Sequence, residues 1–342
     1  MKIRRNPNIE VLRVFAMFAI VVGHCCVHGV FKDDLVAWAL AYMTIFSVDV
    51  FVFISGWYSI CFSNGKFWRL LSIGLFAAVV VSAVSPMTLH QYSFVYSLGW
   101  FGNTYLGLML VAPFLNAGVE RLRNDNPAML WSIWGIYGAL LVFGWLPFRT
   151  VGFDVAPNGF SAFSIGLMAY VYLTGRILSG CEKLCRISPS TSLVCAVLCG
   201  VGTLALVVFG HFFKTHAVFG WLLDADLGAY SSPLVVSTAA FLFMTFLRLS
   251  IPRSVCRICL FLSPSMFSVY LLLDGCHGRV VWPVISMIER RICTIMGSGD
   301  VTMLLSIVVT AVVVFLVCVL IDLSRRGITG GVCRVWKYVA EL

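Results

Sequence analysis

Residues 301–323 read VTMLLSIVVTAVVVFLVCVLIDL, with no charged side chain before Asp322. About 20 such residues in a helix cover the ~30 Å hydrocarbon thickness of a bilayer. One stretch of this kind would anchor a protein. This chain has ten, at about 9–30, 38–62, 68–86, 97–118, 128–146, 159–178, 192–212, 232–248, 260–278 and 301–323. In hydrocarbon each backbone N–H and C=O must be satisfied within its own segment, so apolar runs of this length dictate helices. The fold class expected is all-α, a polytopic integral membrane protein of about ten transmembrane helices. Composition agrees: 60% of the 342 residues are hydrophobic and only 11% are charged, with mean hydropathy +0.96. Ten spans leave only short connections, so we expect a single membrane domain over residues 1–342. MKIRR before the first run resembles a signal peptide, but the run is long and no small-residue cleavage site follows, so it reads as a retained first span.

The net charge of +9 is explained by topology rather than by a nucleic-acid partner. With the N-terminus in the cytoplasm, 17 of the 24 basic residues fall on the inner side: Lys2, Arg4, Arg5, Lys66, Arg69, Arg121, Arg123, Arg176, Lys183, Arg186, Arg248, Arg253, Arg257, Arg325, Arg326, Arg334 and Lys337. Six fall outside, namely Lys32, Arg149, Lys214, Arg279, Arg290 and Arg291, and Arg13 lies within the first run. This bias predicts that both termini are cytoplasmic. The 13 cysteines lie mostly inside apolar runs, where they behave as small hydrophobes. No disulfide framework and no metal site are expected, the lone Cys256-x-x-Cys259 having no partner pair.

Two residues are out of place in the first run. Arg13 and His24 are eleven positions apart, or about 1100° of helical turn, so they point the same way with about 16 Å between them. Ionisable groups inside a bilayer are expensive and mark function. Depth then selects their neighbours. Counted from the cytoplasmic helix ends, His24 lies roughly 22 Å up, Asp49 roughly 20 Å and Asp274 roughly 21 Å. His277 and Arg279 fall slightly higher. An imidazole beside a carboxylate is a general-base arrangement. Asp49 could equally be an interfacial helix-start residue, and Asp274 a partner of Arg279 or His277. At the inner edge Arg13, Lys66 and Arg69 suit a polyanion such as nucleotide phosphates. Ordinary positive-inside flanking, or pairing of Arg13 with Glu10, accounts for the same residues. Outer segments near His28 to Asp34, Arg149 to Asn158 and His216 to Tyr230 are polar and aromatic, and Asp224 and Asp226 lie in the last.

These residues carry a resemblance. Asn8-Ile9-Glu10-Val11-Leu12-Arg13, ten residues and then His24 resembles the opening of the acyltransferase-3 family of membrane-bound O-acyltransferases. Val48-Asp49-Val50-Phe51-Val52-Phe53-Ile54-Ser55-Gly56-Trp57-Tyr58 is similar to its second-helix pattern. Lys66-Phe67-Trp68-Arg69 is similar to its RxxR step. Trp100-Phe101, Tyr105 and Pro113-Phe114-Leu115-Asn116 resemble the fourth helix of its polysaccharide branch, and Tyr170 to Gly175 and Ser268-Val269-Tyr270-Leu271-Leu272 extend the match over most of the chain. One departure is clear. Where the family often reads Tyr-Leu-Ile-His-Asp, this chain has Leu273 before Asp274. That imidazole is dispensable, replaced by His277, or lost.

The resemblance implies transfer of an acyl group, usually acetyl, from cytoplasmic acyl-coenzyme A to a hydroxyl of a surface polysaccharide or its lipid-linked precursor, in the bacterial inner membrane. Acetyl-CoA is then the acyl donor and co-substrate. The partners expected are the lipid bilayer, acyl-CoA and a glycan acceptor. His24, Asp49 and Asp274 are the candidate catalytic residues, with His24 as general base or transient acyl carrier. Arg13, Lys66 and Arg69 are the candidate donor-binding residues. Ser55, Trp100, Tyr270, His277 and Arg279 are candidate substrate contacts. The alternative reading is a transporter or exporter that uses the buried charges as a solute or proton path, although no internal repeat is visible to support it.

Overall fold

The computed structural model describes residues 6–84, 98–143, 165–181, 186–213, 230–274, 281–297 and 299–340. Among them there are helices and no strands. Six helices are long and apolar enough to cross a membrane, those over 7–28, 35–57, 64–83, 189–210, 253–274 and 300–329, and shorter apolar helices cover 127–141, 165–178 and 233–248.

The first helix, α1 (Pro7–His28), begins on local chemistry. The Asn6 side chain accepts from the Asn8 N–H, and Pro7 occupies the first turn, where its missing N–H costs nothing. The Asn6 and Asn8 amides then reach the Leu247 and Leu249 carbonyls, tying α1 to the end of α9 (Pro233–Arg248). Burial continues along the whole of α1: Leu12, Val21 and Cys25 are fully enclosed. A helix that is apolar on all sides belongs in the middle of a bundle, and α1 packs against seven others. Two of these form the second span, α2 (Leu35–Thr44) and α3 (Phe46–Trp57), which meet at Ile45. Asp34, expected in an outer loop, caps α2 by accepting from the Val36 and Ala37 amides. The others are α9, α10 (Arg253–Leu262), α11 (Met266–Asp274), α12 (Val281–Met296) and α13 (Asp300–Ala340). A 3₁₀ turn over Ser263–Ser265, with Pro264 in it, joins α10 to α11.

Around this centre lie α4 (Asn64–Val84), α5 (Gly99–Asp125), α6 (Pro127–Phe143), α7 (Ile165–Leu178) and α8 (Pro189–Phe213). Helices α3 and α7 approach closely through two glycines. A Cβ on Gly56 would collide with the Tyr172 carbonyl, and one on Gly175 with the Phe53 carbonyl. Small residues at such crossings are what let membrane helices gain dispersion contact without a hydrophobic driving force.

Helix α13 shows where the bilayer lies. Met303, Ile307, Ala311, Val314 and Cys318 are buried, while Leu304, Val308, Val312, Leu316 and Leu320 are exposed. An exposed apolar stripe of that length requires an apolar solvent. The protein is therefore a multi-pass membrane protein. Near the far end of the same span Asp322 is fully buried, accepting from Ser268 Oγ on α11 and from Arg325 Nε at 2.7 Å. Arg325, expected to be a topology-setting flank, is thus also an internal partner.

Helix α12 differs from the sequence expectation, which left residues 279–291 as an outer segment. Trp282, Ser286 and Glu289, at i, i+4 and i+7, face the end of α1. The Trp282 ring stacks on His28 at 3.5 Å and 8°, Ser286 Oγ donates to the His28 carbonyl at 3.0 Å, and Glu289 Oε2 accepts from the Val30 N–H at 2.6 Å. Glu289 is fully buried with Oε1 unpartnered among the described residues, and burial pushes its carboxyl up to about 7. Helix α12 lies outside the group long and apolar enough to span.

Candidate active site

The end of α1 brings His24 to the wall of a cavity of about 530 Å³. Nε2 of His24 lies 3.5 Å from Oδ1 of Asp274, the last residue of α11. The rest of the wall is rich in rings. Trp38 and Tyr42 come from α2, Trp100 from α5, Tyr230 from the segment before α9, Trp282 from α12, and His28 lies one turn beyond His24. These rings offer flat apolar faces with polar edges, the chemistry that binds a hydroxyl-rich molecule. Nε1 of Trp282 is buried with no hydrogen-bond partner among the described residues.

Below it is a second cavity of about 230 Å³. Arg13, Ser55, Tyr105, Phe267 and Ser263 are among its lining residues. Arg13 donates to Glu10 Oε1 at 3.0 Å, and Glu10 is itself buried. Ser55 and Tyr105 share a hydrogen bond of 2.9 Å. Ile20, Val48 and Tyr270 line both cavities. The two spaces therefore adjoin along α1, with the guanidinium of Arg13 on the wall of one and the imidazole of His24 on the wall of the other. This is the alignment their spacing predicts.

Tyr270 closes the arrangement. Its hydroxyl donates to Asp274 Oδ2 at 2.9 Å and accepts from the Phe101 N–H at 3.1 Å. Gly99, with φ +61°, starts α5 against this pair. A side chain there would collide with the Tyr270 hydroxyl, so this position needs glycine twice over.

Other sequence candidates fall elsewhere. Asp49 is buried in α3 with Oδ2 unpartnered among the described residues, and it does not line the cavity that holds His24. The carboxylate within ion-pair reach of the imidazole is that of Asp274. Lys66 and Arg69 are exposed on the first turns of α4 and line neither cavity, although Leu70 beside them lines the second one. Lys66 Nζ donates to the Cys61 carbonyl at 3.2 Å. Leu273 is fully buried in the apolar core. His277 and Arg279 lie outside the described residues, as do Asp224 and Asp226. Trp38, Tyr42 and Trp282 are wall residues that sequence reasoning did not single out, whereas His28 and Tyr230 bound outer segments that it did name. For Trp282 a signal existed, because Trp282, Ser286 and Glu289 keep helical period in a segment too polar to read as a span.

A histidine–carboxylate pair inside a helical bundle, beside two adjoining cavities, is an arrangement suited to acid–base chemistry. The chain belongs to the acyltransferase-3 family: the family model described as an acyltransferase domain matches residues 6–323. It is a membrane acyltransferase. No curated protein and no solved structure matches the chain.

Proposed function

We propose that this protein moves an acetyl group from cytoplasmic acetyl-CoA to a sugar hydroxyl of a surface polysaccharide or its lipid-linked precursor, across the bacterial inner membrane. The observation that carries the reading is the pair of adjoining cavities with Arg13 at one end and the His24–Asp274 pair at the other. In this reading the whole chain is one domain. Its six long apolar helices, the three shorter ones and α5 make ten crossings, with both termini in the cytoplasm. The bias of basic residues supports that orientation.

The donor enters from the cytoplasm. Its phosphates meet Arg13, with Lys66 and Arg69 at the surface of the same mouth, where guanidinium and ammonium groups suit a polyanion. Glu10 holds the Arg13 side chain ready. The narrow inner cavity takes the extended pantetheine arm past Ser55 and brings the thioester up to His24. The wider outer cavity receives the acceptor among Trp100 and its neighbouring rings, with His277 and Arg279 as further acceptor contacts.

His24 acts as general base. With its Nε2–H turned toward Asp274 Oδ1, Nδ1 keeps a lone pair and takes the proton of the acceptor hydroxyl. The hydroxyl oxygen attacks the thioester carbonyl carbon, the C–S bond breaks, and the imidazolium returns its proton to the leaving thiolate. Asp274 orients the ring and stabilises its charged form, and Asp49 is a second buried carboxylate at the same depth. Such base help contributes about 10²- to 10⁴-fold in rate. The test is transfer by the purified full-length protein in detergent, with acetyl-CoA and de-O-acetylated surface polysaccharide from the source cell. Transfer without any ion or solute gradient supports the reading. Absence of transfer with solute movement in vesicles overturns it.

A further inference from the structure

Among the described residues, Tyr270 is the one polar side chain common to both cavities. The other two shared residues, Ile20 and Val48, are aliphatic. Its ring meets the Phe101 ring edge-on at 5.3 Å and 68°. Its hydroxyl is fastened at both ends, accepting from the first turn of α5 and donating to Asp274. Tyr270 and Asp274 are i, i+4 on α11 and so share a face. Asp274 uses its two oxygens differently. Oδ2 takes the Tyr270 hydroxyl, and Oδ1 faces His24. A carboxylate at the end of a helix has freedom in both side-chain torsions, and pinning one oxygen aims the other.

We infer that Tyr270 serves this site in two separable ways: its hydroxyl aims Asp274 at His24, and its ring is the partition between the donor and acceptor cavities. The inference rests on the acyl-transfer reading given above. The hydroxyl makes Tyr270 a positioning residue that acts through Asp274. The ring sets specificity for the acceptor over water. Until the thioester passes the ring toward His24, the ring keeps water in the wider cavity away from it. With the ring removed, a water oxygen attacks the thioester carbonyl, the C–S bond breaks, and the products are the free carboxylic acid and the thiol of coenzyme A, with no acceptor consumed.

The two roles call for two substitutions in the purified full-length protein, with acetyl-CoA as donor and de-O-acetylated surface polysaccharide from the source cell as acceptor. Tyr270→Phe keeps the ring and removes the hydroxyl. It is expected to lower kcat about 10- to 100-fold, as for a catalytic group misplaced by about 1 Å, with KM for acetyl-CoA within about twofold. It should release no thiol in the absence of acceptor. The double variant with Asp274→Asn should be no slower than Asp274→Asn alone, because two residues acting as a unit are not additive. Tyr270→Ala should release thiol without acceptor at least about tenfold faster than wild type, a loss of coupling rather than of binding. The inference is overturned if Tyr270→Phe stays within about twofold of wild-type kcat, or if its effect adds fully to that of Asp274→Asn. Should Tyr270→Ala not fold, the near-isosteric Phe variant and the double variant decide the hydroxyl's role, and Tyr270→Leu takes the place of Tyr270→Ala as the test of the ring, thiol release at the wild-type rate overturning the partition. A wild-type protein inert with acetyl-CoA overturns the parent reading, whereas an active wild type with a fully active Phe variant overturns this inference alone.

Discussion

Nε2 of His24, on the first helix of the bundle, lies 3.5 Å from Oδ1 of Asp274 on α11. Both side chains are mostly enclosed, at 22% and 14% exposure, so their interaction is screened less than a surface pair would be. Asp274→Asn should keep the shape of the site and remove the charge that steadies the imidazolium. We expect kcat to fall about 10²-fold or more, measured as acetyl transfer to polysaccharide. Asp49→Asn should cost less, since Asp49 does not line the His24 cavity. A larger loss from Asp49→Asn would hand the orienting role to α3.

Arg13 carries the second prediction. Its guanidinium lines the inner cavity and is held by Glu10 at 3.0 Å. Arg13→Ala should raise KM for acetyl-CoA about 10- to 100-fold, the equivalent of one charged hydrogen bond of about 1.5–3 kcal/mol. The effect on kcat should be much smaller. Unchanged KM in steady-state assays would remove Arg13 from the donor site.

The common facing of Arg13 and His24 was legible in the chain because it follows from helical turn alone. So was the level shared by His24 and Asp274. Which carboxylate meets the imidazole was not legible, because it depends on the rotation of α3 and α11 about their own axes. Those rotations are set by tertiary packing, including the Gly56 and Gly175 crossings. The buried Asp322–Arg325 pair was hidden for a related reason: a basic residue after an apolar run looks the same whether it faces water or a neighbouring helix. Helix α12 was missed because Arg290, Arg291 and Glu289 make its composition that of a loop, although its period is helical.

Gly56 allows the third prediction. The Tyr172 carbonyl occupies the place a Cβ would take. Gly56→Ala should therefore push α3 away from α7 and destabilise the bundle by about 1–3 kcal/mol, the usual range for overpacking. Thermal inactivation in detergent reads this directly. Gly65→Ala, where nothing lies within 4 Å, is the control and should leave the midpoint in place.

Glu289 makes stability pH-dependent. Burial raises its carboxyl from 4.5 to about 7, so the folded protein keeps a proton that the unfolded chain gives up at lower pH. The stabilisation is complete below the unfolded value and is lost as pH rises through the folded one. Between about pH 5 and about pH 8 the docking of α12 on α1 should weaken by on the order of 2 kcal/mol. Glu289→Gln keeps a carbonyl oxygen for the Val30 N–H and should flatten that dependence. Melting curves across this range for both proteins check it, and parallel curves would contradict it.

The most direct measurement compares wild type with His24→Ala, purified from membranes at equal yield and melting temperature. Each is given acetyl-CoA and de-O-acetylated polysaccharide, and acetyl groups on the glycan are counted by mass spectrometry. We expect transfer by the wild type and a loss of at least about 10²-fold in the variant. Acetylation by His24→Ala at the wild-type rate would contradict the assignment of His24 as the base.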